Sequence, residues 1–179
     1  NNDTGFASGG AYRSYFSLVK SGKEEPLTTH ADHYNLNTAY SPAVYSKGEV
    51  FMEQLGYIVG APVRDNILLE YYKQWRFKHP NTTDFIRIAE KVSDMKLDWY
   101  KEYWINSTKT IDYSIDSLWE ENGMTNVRIK RNGLMPMPID VQLTFKDGSK
   151  EMHYVPLDLM YGLKPIEDKT VARKVYEPW

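Results

Sequence analysis

The chain contains no cysteine, and this absence excludes several kinds of chemistry at once. Without a thiol there is no disulfide framework, no cysteine nucleophile and no thiolate metal site. The sequence also lacks any run of about 20 consecutive apolar residues, which a membrane-spanning helix requires. Its first residues, Asn1-Asn2-Asp3-Thr4, do not resemble a signal peptide and include no initiator methionine. We therefore expect a piece of a longer protein or a processed product.

An excess of charge of either sign is missing as well. The chain has 22 Lys and Arg against 24 Asp and Glu, a formal net charge of −2, and no basic run. This balance gives no electrostatic basis for binding nucleic acid or an anionic membrane. Hydrophobic residues at 41% and charged residues at 26% are ordinary for a globular protein, which excludes disorder. The 14% of aromatic residues is high and favours aromatic helix packing or a surface that binds a flat ligand.

The segment 39–48 combines a helix start with a tyrosine in the first turn. Ser41 is a good N-cap residue because its hydroxyl can accept from an unpaired amide of the first turn. Pro42 suits the first helical position, where no N–H is required. Gly48, on the apolar stripe of this helix, would let another backbone approach closely. The sequence therefore predicts a helix that begins at Pro42 and carries Tyr45 near its N-terminus.

Further helices are predicted on both sides of this segment. Residues 12–19 have helical apolar spacing and are followed by Gly22, which predicts a short helix. After the helix that begins at Pro42, Asp65 is expected to cap the next helix, and residues 81–84 to cap the one after it. Because the links are short, residues 12–104 are predicted to form a helical bundle. The apolar stripes of the last three helices are Leu68, Tyr71, Tyr72 and Trp75; Phe85, Ile88, Ala89 and Val92; and Leu97, Tyr100 and Trp104.

Around residue 110 the apolar period changes from helical to two, which indicates strands. The turn signals Asn122-Gly123 and Asp147-Gly148 predict two hairpins, and the run from residue 139 to 145 is the clearest strand. The tail is expected to be an extended wrap or an incomplete final strand. The predicted fold class is α+β, with an N-terminal helical part over residues 1–111. A small antiparallel, sandwich-like β domain with the C-terminal tail is expected over residues 112–179.

The sequence offers no metal-binding motif of its own. His30 and His33 are three residues apart, but no third ligand follows in range, so a solvated role, or one in which they only support a ligand, is favoured over a metal site. There is no His-Glu-x-x-His motif, no Gly-x-Ser-x-Gly nucleophile elbow and no phosphate-binding glycine loop. We therefore predict no metal ligand in this chain.

The segment Tyr45-Ser46-Lys47-Gly48 resembles the Tyr-x-Lys-Gly segment of the aminopeptidase N family of zinc metallopeptidases, which are gluzincins. The similarity extends over nearly the whole chain. One departure is Ser93-Asp94, which stands where the family often has Ser-Gly. The other segments that are similar to bacterial members of the family are 22–27, 78–80, 84–85, 97–104 and 133–141.

The resemblance implies a catalytic role for Tyr45, whose hydroxyl would donate to the oxyanion of the tetrahedral intermediate. In this family the zinc ligands and the general-base glutamate precede that tyrosine. The chain would then be the part downstream of the zinc motif and would be inactive alone, with no cofactor of its own. Its implied partners are a peptide substrate and the missing N-terminal catalytic half, which would hold the zinc. A periplasmic, cell-envelope or secreted location is also implied. Residues that bind substrate are not predicted.

Two matters stay open in the sequence. Lys47 is expected to be solvated, although it could orient the turn or pair with a carboxylate. The alternative function is a stand-alone, non-catalytic interaction or carbohydrate-binding module that uses Trp75, Trp99 and Trp119. Core packing is the favoured interpretation of these tryptophans, because each lies in or beside an apolar pattern.

Overall fold

The structure, a computed structural model, describes residues 7–166 and 168–179 and combines helices with two small sheets. This confirms the α+β class. The expectation for Asn1-Asn2-Asp3-Thr4 lies outside the described residues. The helices are α1 (Gly9–Ser21), α2 (Asn37–Ser41), α3 (Gly48–Val59), α4 (Ala61–Trp75), α5 (Thr82–Ser93) and α6 (Asp98–Trp104), and a π-helical segment (Pro42–Lys47) joins α2 to α3. The strands are β1 (Tyr113–Glu121), β2 (Met124–Arg131), β3 (Ile139–Thr144), β4 (Lys150–Val155) and β5 (Ala172–Val175).

The helix that carries Tyr45 does not begin at Pro42, so that prediction is wrong. Ser41 has helical angles, φ −61° and ψ −48°, and its side chain makes no capping hydrogen bond. The helical backbone begins after Leu36, which is extended, and runs on through Pro42. Proline has no N–H and its ring crowds the carbonyl one turn earlier, so a regular α-helical ladder cannot pass through it. The wider π-helical turn at this point is one way in which a helix accommodates that defect.

Two other local predictions near this helix also fail. A Cβ added at Gly48 would meet nothing within 4 Å, so no second backbone approaches there. Asp65 does not cap a helix, because α4 already begins at Ala61 with Pro62 in its first turn. The carboxylate of Asp65 instead accepts from the guanidinium of Arg64, at 3.1 Å from Nε and 2.9 Å from Nη2.

The predicted apolar stripe of α4 is shifted by about one residue. Leu68 and Tyr72 are exposed, whereas Ile67, which was not on the predicted stripe, is completely buried. Tyr71 is half-buried and packs edge-on against Phe85 of α5, with ring centroids 5.2 Å apart. The inward face of α4 therefore runs through Ile67 and Tyr71.

Other predictions that depend on neighbouring residues alone are confirmed. Helix α1 ends at Gly22, which has a φ of 67°. Helix α5 begins with a capping box: Asn81 Oδ1 accepts from Asp84 N at 3.1 Å, and Asp84 Oδ2 accepts from Asn81 N at 2.9 Å. The same helix ends at Asp94, which is left-handed with a φ of 55°.

Two tyrosine hydroxyls attach helix α3 to other parts of the chain. Tyr100 is fully buried, and its hydroxyl donates to the carbonyl oxygen of Phe51 at 2.5 Å. The Tyr57 hydroxyl donates to Pro138 O at 3.0 Å and accepts from Asp140 N at 3.1 Å. These bonds attach helix α3 both to α6 and to the start of β3.

The main hydrophobic core draws on both sides of the predicted boundary at residues 111 and 112. The division of the chain into two domains at that point stays a prediction. The buried members of this core are Ala11, Tyr15, Val50, Phe51, Leu55, Ile58, Val59, Ile67, Ile86, Ala89, Met95, Leu97, Trp99, Tyr100, Trp104, Ile105, Met135, Met137, Leu157 and Met160.

The strands form two separate sheets. Strands β1 and β2 form the predicted hairpin, and its turn residues Asn122 and Gly123 both have positive φ, as a two-residue type I′ turn requires. Strands β3 and β4 are antiparallel, also as predicted, but β5 pairs parallel to β4, so this sheet is mixed. The tail therefore includes a final strand, β5. The C-terminal Trp179 packs edge-on against Tyr113 at 6.1 Å.

Candidate functional site

Tyr45 lies in the π-helical segment, near the middle of the helical stretch from α2 to α3. Its side chain is 72% exposed. Among the described residues, nothing makes a hydrogen bond or a ring contact with it. Single π-helical turns within longer helices are frequent at functional sites. An exposed phenol without an internal partner is available to a ligand.

Lys47 is completely buried, so the expectation that it is solvated is wrong. Its Nζ lies 2.7 Å from Oε1 of Glu24 and donates to the carbonyl oxygen of Ser107 at 3.0 Å. Residues two apart on a helix point in nearly opposite directions. Tyr45 therefore faces outward because the same turn directs Lys47 into the protein.

The Lys47 and Glu24 pair is an ion pair removed from water. Solvent reaches 0% of the lysine side chain and 5% of the glutamate side chain. The two atoms are within ion-pair distance, although their angles are outside those of a well-formed hydrogen bond. Burying one of these charges alone would be very unfavourable, and the partner offsets that penalty. The pair thus connects the π-helical segment to the chain after α1. The bond from Lys47 to Ser107 connects the same segment to the chain after α6.

The charge of Glu24 also affects the pKa of Tyr15. Tyr15 is buried, and this desolvation raises the pKa of its hydroxyl well above the ordinary value. The negative charge of Glu24 raises the pKa further.

Two further contacts hold the π-helical segment. The Ser46 hydroxyl donates to Ser14 of α1, with an Oγ to Oγ distance of 2.9 Å. Just before the segment, the ring of Tyr40 packs edge-on against Tyr34, with centroids 5.2 Å apart. Tyr45 therefore projects from a backbone that is anchored on both sides of it.

The residues described here do not fit a zinc site. His30 and His33 are both exposed, with ring centroids 5.2 Å apart, and Nδ1 of His30 accepts from the backbone N–H of Asp32 at 3.3 Å. Within residues 7–166 and 168–179, no three His, Asp or Glu side chains are close enough to hold a metal ion. A zinc ion beside Tyr45 would need ligands from outside these residues.

The three tryptophans of the alternative function lie on three different elements. Trp99 is buried, as core packing predicts, and Trp75 is half-buried. Trp119 of β1 is 40% exposed, with the guanidinium of Arg128 at 5.4 Å from its ring centre, so core packing is wrong for this residue. The buried Trp99 cannot serve as an exposed stacking platform for a sugar.

Glu24 is the site residue that the sequence did not identify. It lies in an irregular connection, where a glutamate is normally solvated. The available signal was indirect. A lysine on the inward side of an apolar helix needs an anionic partner, but nothing in the sequence indicates which of the carboxylates supplies it.

None of the helices that the structure describes has both the length and the apolar character that a membrane span requires. No protein-family model, no curated protein and no solved structure matches this chain. The case for a function therefore rests on the residues of the chain itself.

Proposed function

We propose that this chain is the C-terminal portion of a zinc-dependent metallo-aminopeptidase in which Tyr45 stabilises the oxyanion. The observation that carries the proposal is the contrast between Tyr45 and Lys47. The phenol is 72% exposed and has no partner among the described residues, whereas the lysine two positions later is buried against Glu24. The segment that resembles the family's Tyr-x-Lys-Gly motif thus combines one side chain free for contact with one internal anchor.

The chemistry assigned to Tyr45 is hydrogen-bond donation. When water adds to a peptide carbonyl, negative charge develops on the carbonyl oxygen. A tyrosine hydroxyl is normally protonated at neutral pH and can donate to that oxygen. Such a donor is most effective when it is already positioned before the charge develops. The contacts of Lys47 and Ser46 supply that positioning for the backbone that carries Tyr45.

The zinc of such an enzyme would be held elsewhere, because the described residues do not fit a zinc site. In the proposal, a segment N-terminal to this chain provides the ligands and the general base, and the bound metal polarises the carbonyl. This chain then contributes Tyr45 as one wall of a shared active site. Alone, it is expected to have no peptidase activity.

The test is the substitution Tyr45→Phe in a longer protein that includes the upstream segment. Turnover of an aminoacyl substrate should fall by about 100-fold to 1,000-fold, as it does when a single oxyanion donor is lost. Zinc content and the circular dichroism spectrum should not change. Tyr72→Phe is the matched control, since Tyr72 is also exposed, at 62%, but lies on α4. Near-normal turnover with Tyr45→Phe would exclude the assignment.

A non-catalytic interaction module is the second candidate. The observation that favours it is the exposed hairpin formed by β1 and β2, which carries apolar side chains on its surface. An upstream reading frame that encodes His-Glu-x-x-His supports the peptidase, and a stop codon directly before Asn1 supports the module.

A further inference from the structure

The hairpin of β1 and β2 exposes apolar side chains that a stable protein would normally bury. Its two strands pair only with each other, so each has one free edge in the described structure. Ile115 is 69% exposed and Leu118 is 66% exposed. A two-stranded hairpin without further packing is at best marginally stable in water. A surface that covers these side chains would therefore stabilise the hairpin as well as bind to it.

A β-bulge gathers the apolar residues on one face. Ile115 is opposite Ile129 and Leu118 is opposite Val127, while the register shifts between Ile115 and Ser117. Ile129 and Val127 are two residues apart on β2 and therefore share a face. Their partners share it too, although Ile115 and Leu118 are three apart. Without the bulge, Leu118 would point to the other side. We call the four residues Ile115, Leu118, Val127 and Ile129 the apolar hairpin face.

Charged residues lie at both ends of the apolar hairpin face. At the base of the hairpin the next pair on this face is Tyr113 and Arg131, and at the tip it is Glu120 and Thr125. Arg131 is exposed and lies 5.4 Å from the ring centre of Trp179. Glu120 is exposed and makes no ion pair with any described residue. From base to tip the surface is thus cationic, apolar and anionic.

We propose that a second copy of this chain covers the apolar hairpin face, with the two hairpins packed face to face and antiparallel. In this orientation the tip of each hairpin lies over the base of the other, so that each Glu120 faces Arg131 of the second copy. The apolar centres meet between the two charged ends. A parallel orientation would place like charges together at both ends. Antiparallel packing also has two-fold symmetry, which closes the assembly at a dimer.

The other charges of the hairpin do not compete with this arrangement. Asp116, at the bulge, lies 3.8 Å from Arg128 within the same hairpin. Arg128 is opposite Ser117 on the reverse face, where it also covers Trp119. Lys130, opposite Ser114, and Glu121, opposite Met124, also lie on the reverse face. The charges left to face a partner are therefore Glu120 and Arg131.

The association should be weak. A face of four apolar side chains is small beside stable protein interfaces, which bury about 1,200 Å² or more in total. We expect a monomer at low micromolar concentration and an increasing dimer fraction up to about 0.5 mM. Salt should weaken the dimer, since exposed ion pairs are screened.

Sedimentation velocity on this chain over that concentration range tests the proposal, with Leu118→Thr and Met124→Thr as a matched pair. Met124 is 65% exposed, like Leu118, but it is opposite Glu121 on the reverse face. Threonine is a good strand former, so both variants should keep the hairpin. The dimer dissociation constant should rise at least about tenfold for Leu118→Thr and stay within about twofold for Met124→Thr. A chain that is monomeric at every concentration, or equal effects of the two substitutions, would overturn the proposal.

The antiparallel orientation has a separate test. Glu120→Arg alone and Arg131→Glu alone should each weaken self-association, because each puts like charges at both ends of the interface. An equal mixture of the two variants should associate again, since every contact between the two different chains then joins opposite charges. Failure of the mixture to associate, in variants whose circular dichroism spectra are unchanged, would contradict the proposed orientation and the dimer with it.

Discussion

Lys47 Nζ lies 2.7 Å from Glu24 Oε1, and both side chains are almost completely excluded from solvent. The pair joins the turn that carries Tyr45 to the connection that follows α1. Ser107 O, at 3.0 Å from the same Nζ, brings in the chain beyond α6. One buried cation thus holds together three segments that are distant in sequence, and the exposed position of Tyr45 depends on it.

The first prediction concerns the buried pair. Lys47→Met leaves the charge of Glu24 buried without a partner, and the free energy of unfolding should fall by about 3–5 kcal/mol. The double variant Lys47→Met with Glu24→Gln should be less destabilised than Lys47→Met alone, because neither charge is then buried. Chemical denaturation measures both.

Lys73→Met provides the control for that experiment. Lys73 Nζ lies 2.6 Å from Glu70 Oε1, but this pair is on the surface of α4. Its loss should leave the unfolding midpoint nearly unchanged. Equal losses of unfolding free energy for Lys73→Met and Lys47→Met would show that the burial of the Lys47 pair does not add to its effect on stability.

The second prediction compares two glycines. Gly48→Ala should raise the free energy of unfolding by about 0.5–1 kcal/mol, because the helical backbone has room for a Cβ and alanine favours helix. Gly133→Ala should lower it by about 1–3 kcal/mol, because a Cβ there would press on Thr110 O and lie 2.6 Å from Asp112 N. Thermal denaturation of both variants measures these changes in stability. A destabilised Gly48→Ala would contradict the open space around a Cβ at this position.

The third prediction concerns the cap of α5. Asn81→Ala removes the acceptor for Asp84 N and should lower the free energy of unfolding by about 1 kcal/mol. Thr82→Ala, one residue further along, changes a side chain that makes no capping bond and serves as the control. Urea denaturation with equal slopes for the three proteins gives the comparison, and equal midpoints for Asn81→Ala and wild type would contradict the capping role.

The fourth prediction is alkaline sensitivity. Burial raises the pKa of the hydroxyls of Tyr100, Tyr57 and Tyr15 above the ordinary tyrosine value. In the unfolded chain these groups ionise near pH 10, while in the folded protein they do not. The contribution of these three hydroxyls to stability should therefore be constant below about pH 10 and should fall as the pH rises above it.

Tyrosine absorbance during an alkaline titration measures this directly. The hydroxyls of Tyr100, Tyr57 and Tyr15 should ionise only together with the loss of the circular dichroism signal. Smooth ionisation of every tyrosine near pH 10 in a folded protein would contradict the burial of these three.

Some features that depend only on nearby residues were predictable from the sequence, but one such local signal was misleading. The capping box at Asn81 and the turn at Asn122 and Gly123 depend on residues within one turn, and the sequence was sufficient for both. The start of the Tyr45 helix was misplaced, because Ser41 and Pro42 have the local chemistry of an N-terminus but the helix runs through them.

The site was predictable only in part. Tyr45 stood out through its resemblance to a known segment, but the burial of Lys47 depends on Glu24, which is remote in sequence. No local pattern identifies such a partner. The apolar hairpin face was not predictable for a similar reason. In a regular strand Leu118 and Ile115 would point to opposite faces, and only the bulge beside Asp116 brings them to the same face.

The most direct test of the central proposal is the affinity of a peptide phosphinate for the longer protein with and without Tyr45→Phe. The tetrahedral phosphinate carries negative oxygens where the reaction develops its oxyanion, whereas the substrate does not. If Tyr45 donates to that oxygen, Tyr45→Phe should weaken phosphinate binding by about 100-fold and leave the KM of the substrate within about twofold. Equal phosphinate affinities for the two proteins would contradict the proposed role of Tyr45.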